Sequence, residues 1–159
     1  MADTLTVGQT APDFTLPNSE LKAQNLNDFS SNYVVLAFYP GAFTGVCTQE
    51  MCTLRDALAK LNELKAQVVG ISVDSPFANK VFAETNQLGF PLLSDTNRDV
   101  IKRYGIELPN FAGIEGYTVA QRSIFILDQN KVIRYAWVSD NPGIEPNYEE
   151  IEQVLADLN

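Results

Sequence analysis

Residues 33–39 read Tyr33-Val34-Val35-Leu36-Ala37-Phe38-Tyr39 with no polar interruption, and Pro40-Gly41 ends the run. A short continuous apolar stretch rich in β-branched and aromatic side chains predicts a strand covered on both faces, the habit of a central strand. Val68-Val69-Gly70-Ile71-Ser72-Val73 predicts a second such strand. Between them the apolar positions Met51, Leu54, Leu58, Leu61 and Leu64 are spaced by 3, 4, 3 and 3 residues. That is a helical stripe, placing a helix over residues 48–64. Residues 77–88 predict another helix with Gly89 as its C-cap. Phe90-Pro91-Leu92-Leu93 is extended. Asp95-Thr96-Asn97 is positioned to cap a helix running to Tyr104, with Gly105 as its stop.

Residues 107–120 carry no periodicity and predict a long loop. Two strands follow, over 123–127 and 131–138, joined by the turn Asp128-Gln129-Asn130. Residues 147–158 predict a final amphipathic helix. The first thirty residues are polar and turn-rich, with one minor strand at 13–16. The order β-α-β-α-α-β-β-α predicts an α/β fold whose central sheet is flanked by helices, mixed because of the closing hairpin. No linker or repeat divides residues 1–159, so one domain is expected.

Charge and composition narrow the function. Twenty acidic residues against eleven basic ones give a net charge of -9, which argues against a nucleic-acid partner. Six of the acids follow Arg134 with no Lys or Arg among them, predicting a solvated acidic C-terminal face. There is no histidine, so His-based nucleophile pairs, proton shuttles and zinc sites are excluded. No apolar run approaches the roughly 20 residues of a membrane span. Met1-Ala2-Asp3-Thr4 lacks the basic start of a leader. A cytoplasmic protein is expected, and in that compartment its two cysteines read as free, catalytic or redox-active.

One cysteine stands where chemistry is favoured. Cys47 follows the central strand and its proline turn, at the start of the first long helix, where unpaired N–H groups and partial positive charge favour a thiolate. A thiol of pKa about 8.5 is roughly 3% ionised at pH 7. Bringing it to about 6 takes roughly 3.4 kcal/mol, and a helix terminus supplies at most about 2. A nearby Arg or Lys must supply the rest. A small core thiol is the competing reading, since Cys47 also falls on the apolar stripe.

The segment Pro40-Gly41-Ala42-Phe43-Thr44-Gly45-Val46-Cys47 matches in full the Pro-x-x-x-Thr/Ser-x-x-Cys signature of the peroxiredoxins. Val7-Gly8-Gln9-Thr10-Ala11-Pro12-Asp13-Phe14 resembles that family's N-terminal segment, and Gln121-Arg122-Ser123-Ile124-Phe125-Ile126-Leu127-Asp128 its arginine-bearing strand. The resemblance implies a thioredoxin-like fold and the reduction of hydroperoxides without a metal or other cofactor. It makes Cys47 the peroxidatic cysteine, gives Thr44 and Arg122 to the peroxide pocket, and has Pro40 shield the thiolate. Arg55 is an alternative source of the cation, and Thr44 an alternative side-chain N-cap. Phe43, Phe111 and Tyr117 are candidates for an apolar pocket suited to alkyl hydroperoxides.

The spacing of Cys47 and Cys52 resembles the Q-type, bacterioferritin-comigratory-protein-like branch, whereas Ala42-Phe43 resembles the alkyl-hydroperoxide-reductase-E-like branch. The first implies that Cys52 resolves Cys47 as an intramolecular disulfide, recycled by a thioredoxin-type donor. The second implies a one-cysteine enzyme resolved by another thiol. Five helical residues advance about 7.5 Å and turn about 140° net, too far for a disulfide without unwinding of the first turns, about 48–53. Family members of this kind are monomers or homodimers. A peroxide sensor using the same cysteine, a thioredoxin-like oxidoreductase without its Cys-x-x-Cys, and a metal module using Glu50 are the competing functions.

Overall fold

The computed structural model describes residues 3–159; Met1 and Ala2, part of the start read for a leader, lie outside them. The strands are β1 (Thr15–Pro17), β2 (Ala23–Asn25), β3 (Tyr33–Phe38), β4 (Ala66–Ser72), β5 (Leu92–Ser94), β6 (Glu107–Leu108), β7 (Val119–Ala120), β8 (Ser123–Leu127) and β9 (Ile133–Val138). The helices are α1 (Gly45–Glu63), α2 (Pro76–Thr85), α3 (Asp99–Arg103) and α4 (Tyr148–Leu158).

Five strands form the central sheet in the order β5-β4-β3-β8-β9. β3 runs parallel to β4 and antiparallel to β8, so the sheet is mixed as expected. Successive side chains of β3 point to opposite faces. Val34, Leu36 and Phe38 enter a core shared with Phe14, Val100, Ile101, Tyr104 and Phe125. Val35, Ala37 and Tyr39 enter the other, with Met51, Leu54, Leu61, Phe82, Ile151 and Leu155. Helices α1, α2 and α4 therefore cover one face, while α3 and the N-terminal segment cover the other. This double cover explains the uninterrupted apolar run of β3.

The differences from the expected elements have local causes. α1 begins at Gly45, three residues before the expected start at 48, because the first turn contributes few apolar anchors. α2 stops at Thr85 and Gly89 does not cap it: Asn86 is its C-cap and Gln87 takes the left-handed conformation at φ 52°. The N-cap of α3 is Arg98, which makes no side-chain cap bond; Asp95, three residues upstream, instead accepts from the amides of Val100 and Ile101 at 3.2 and 2.9 Å, and the helix is only Asp99–Arg103. The long loop is pinned at its ends by the two-residue ladder of β6 and β7. Among the described residues no helix is long and apolar enough to cross a membrane.

Candidate active site

Backbone register brings the distant partners together. Phe38, the last residue of β3, pairs with Ser123, the first of β8. Arg122 therefore lies level with Tyr39, at the mouth of the Pro40 turn. α1 begins at the end of that turn, with Thr44 as its N-cap and Cys47 as its third residue. The amides of Gly45, Val46 and Cys47 precede the first intrahelical bond, from Thr48 N to Thr44 O at 2.9 Å, and so have no partner within the helix.

Arg122 Nη2 donates to Cys47 Sγ at 3.2 Å. Nη1 donates to Glu50 Oε1 at 2.8 Å. Nε and Nη2 both donate to the carbonyl of Pro142, at 3.1 and 2.8 Å. Cys47 and Glu50 are fully buried, and Arg122 is 2% exposed. Burial by itself works against the guanidinium's charge, yet Glu50 and Cys47 outweigh it and hold Arg122 above its ordinary pKa. Burial pushes the Glu50 carboxyl from 4.5 up to about 7, against the pull of Arg122; Glu145 raises it further. Glu50 Oε2 is buried without a hydrogen-bond partner among the described residues, an arrangement that suits a neutral acid better than a carboxylate.

The Pro40–Thr44 turn is shaped by contacts on both sides. Pro40 and Gly41 are buried beneath it. Phe43 adopts φ 66°, which costs a residue with a Cβ roughly 1–2 kcal/mol. Its ring is 53% exposed and meets Phe82 at 5.2 Å between centroids. Thr44 occupies the N-cap position, but its side chain makes no capping bond; Oγ1 instead donates to Gly41 O at 2.9 Å. Its lone pairs remain able to accept.

The sequence motifs thus meet: Pro40 and Thr44 lie in the turn that leads into α1, and Arg122 contacts the Cys47 sulfur at the start of that helix. Three expectations are corrected. Arg55 is not the cation at Cys47, since it pairs with Asp56 and donates to Asn86 O at 2.7 Å. Thr44 is not a side-chain cap. Phe43 packs on Phe82 of one core, whereas Phe111 and Tyr117 meet at a tilt, 6.0 Å between centroids, and pack on the other core, so the three do not line one pocket. Glu50, weighed before only as a metal ligand, is instead the buried partner of Arg122. Its place on the apolar stripe, three residues after Cys47 and four before Leu54, was the signal for it.

Cys52 lies on the same unbroken helix as Cys47, and both are free thiols. They face different neighbours: Cys52 Sγ lies 3.5 Å from Asn86 Oδ1, at the end of α2. A disulfide cannot form in this conformation.

Residues 7–136 match the AhpC/TSA family. The chain belongs to that family, the peroxiredoxins. A Coxiella burnetii protein named as a peroxiredoxin of the bcp kind is 37% identical over 131 residues, 82% of this chain and 87% of that one. A chloroplastic peroxiredoxin Q of Sedum lineare is 37% identical over 133 residues, 84% of this chain and 69% of that one. The crystal structure of the peroxidoxin BcpB from Mycobacterium tuberculosis superposes with a TM-score of 0.85 at 29% identity, covering 96% of this chain and 97% of that one. The fold of this peroxiredoxin is thus thioredoxin-like, as expected, and its activity is that of a thiol peroxidase: a peroxide is reduced at the expense of a thiol donor.

Proposed function

We propose that Cys47 is the peroxidatic nucleophile, that Arg122 and Thr44 hold the peroxide, and that Cys52 resolves the oxidised cysteine. The observation that carries this reading is the 3.2 Å contact of Arg122 with the Cys47 sulfur at the start of a helix. A guanidinium and a helix N-terminus together favour the thiolate, the reactive form. The thiolate attacks one oxygen of the hydroperoxide in line. An S–O bond forms, the O–O bond breaks, and the leaving oxygen takes a proton from solvent to depart as water or alcohol. Negative charge moves from sulfur towards that oxygen, where the guanidinium and the free amides of the first helical turn stabilise it. Thr44 accepts a hydrogen bond from the peroxide's hydroxyl. Pro40 closes the floor of the turn and excludes water.

Cys47 is then a sulfenic acid. After the first turns of α1 unwind, the Cys52 sulfur displaces its hydroxyl, giving a disulfide and water. A thioredoxin-type dithiol protein reduces the disulfide and is itself oxidised. Cycling through free thiols favours a reducing compartment, which supports a cytosolic enzyme. Apart from the dithiol donor, every group invoked comes from one chain of 159 residues acting as a single domain, so monomer and homodimer serve equally.

The test is the intact mass after one equivalent of hydrogen peroxide, with thiols alkylated under denaturing conditions. A loss of roughly 2 Da with no alkylatable thiol is expected, from the Cys47–Cys52 disulfide. A gain of about 16 Da with one thiol free would make Cys52 a bystander. An unchanged mass would overturn the role of Cys47.

A further inference from the structure

The geometry points to Asp74 as a positioning residue that sets the Pro40–Thr44 turn for catalysis through the amide of Ala42. This rests on the reading of Cys47 and Thr44 as peroxide-handling groups. Ala42 N donates to Asp74 Oδ2 at 2.8 Å. That amide lies at the middle of the turn, two residues before Thr44, and Phe43 between them holds the left-handed conformation. A turn with a strained residue keeps one shape only where its surroundings impose it. Asp74 imposes it from outside, 32 residues away in sequence.

Asp74 is itself held in place. Ser72 Oγ donates to the same Oδ2 at 2.8 Å. The amide of Asp74 donates back to Ser72 Oγ at 3.2 Å. Asn79 Nδ2 donates to Ser72 Oγ at 3.2 Å and to Ser94 Oγ at 3.0 Å. Tyr39, the residue before Pro40, donates its hydroxyl to Asn79 Oδ1 at 2.7 Å. Ser72, Asn79 and Ser94 are buried at the ends of β4 and β5 and inside α2. The turn that carries Thr44 is thus tied on both sides of Pro40 to one rigid polar network, through Tyr39 before it and Ala42 after it. No hydrogen bond of the network reaches the side chain of Cys47 or of Arg122. Asp74 acts on where the peroxide is held, and leaves the thiolate's own stabilisation intact.

That separation is what an experiment can read. Two rates are measured for reduced Cys47 in the full chain: oxidation by hydrogen peroxide and alkylation by iodoacetamide. Iodoacetamide needs the thiolate but no peroxide-binding turn. Asp74→Ser removes the acceptor, Asp74→Glu keeps the charge but displaces it, and Asp74→Asn keeps an acceptor oxygen in place. Misplacing a positioned group is costly, so oxidation is expected to fall at least about tenfold in Asp74→Ser and Asp74→Glu. Alkylation should stay within about threefold of wild type, and Asp74→Asn should regain most of the oxidation rate by accepting from Ala42 N. Oxidation in Asp74→Glu within about twofold of wild type overturns the proposal, as does a parallel fall of both rates in the variants that fold. If wild-type Cys47 itself resists peroxide while alkylating normally, the peroxidatic reading fails and this one falls with it.

Discussion

Arg122 reaches Cys47 from 75 residues away and sets a donor 3.2 Å from its sulfur. The same guanidinium also donates to Glu50 and to the Pro142 carbonyl. Three partners in three directions require a planar fork. Lysine keeps the charge but offers only a compact point donor. Arg122→Lys is therefore expected to slow oxidation of Cys47 by about a hundredfold, within the range for loss of one preorganised donor. Stopped-flow measurement with hydrogen peroxide checks this, and a loss of less than about threefold would remove Arg122 from the peroxide-activating role.

Glu50 gives the folded state a pH dependence of definite sign. Its carboxyl is raised from 4.5 to about 7 by burial, so the fold favours the neutral acid. That contribution is complete below about pH 4.5 and is lost as pH rises through about 7. Wild type should lose on the order of 3 kcal/mol relative to Glu50→Gln across this window. Urea unfolding of both proteins between pH 4 and 8 measures it. Parallel stability curves would show that Glu50 titrates normally.

Cys52→Ser separates resolution from attack. Oxidation of Cys47 by peroxide should remain within about twofold of wild type, because Cys52 faces Asn86 and not Arg122. Turnover with a dithiol protein as donor should fall more than about tenfold. Undiminished turnover in the steady-state assay would assign resolution to an external thiol.

Gly105 tests the packing of the N-terminal segment. Its φ is +68°, and an added Cβ would meet the backbone of Asp3 and Thr4. Gly105→Ala is expected to cost about 1–3 kcal/mol of stability, read from the urea midpoint at an unchanged slope. An unaltered midpoint would show that this segment yields freely.

The parts of the site written in consecutive residues were legible. Pro40, Thr44 and Cys47 share one turn and one helix start, and the apolar run of β3 located both. Arg122 was legible through its own strand. What joins these groups was harder to read. Pro142 acts through a backbone carbonyl, which no side-chain pattern encodes. Asp74 precedes the Ser75 cap and the Pro76 start of α2 and reads as an ordinary turn residue until the sheet brings it beside Ala42. Glu50 left a trace, a charge on a buried stripe, whose meaning depends on a partner 72 residues distant. Helix ends slipped for a similar reason. Gln87 accepts the left-handed conformation that Gly89 seemed better suited to, because Leu88 N bonds back to Ala83 O at 3.0 Å.

If Cys52 resolves Cys47 as proposed, the position of Glu50 between the two cysteines would link electron flow to proton flow. Any bond between Cys47 and Cys52 must carry the intervening helical turn, and Glu50 with it, out of the buried pair with Arg122. In water its carboxyl returns to an ordinary acidity, so between about pH 4.5 and 7 closing the disulfide would expel one more proton than the thiols themselves release. In a two-electron couple that extra proton makes the midpoint potential fall about 30 mV further per unit of rising pH in this interval than the thiols alone would. A fall in cellular pH would then tilt the cysteine pair towards its reduced, peroxide-ready form, with the coupling carried by one buried side chain.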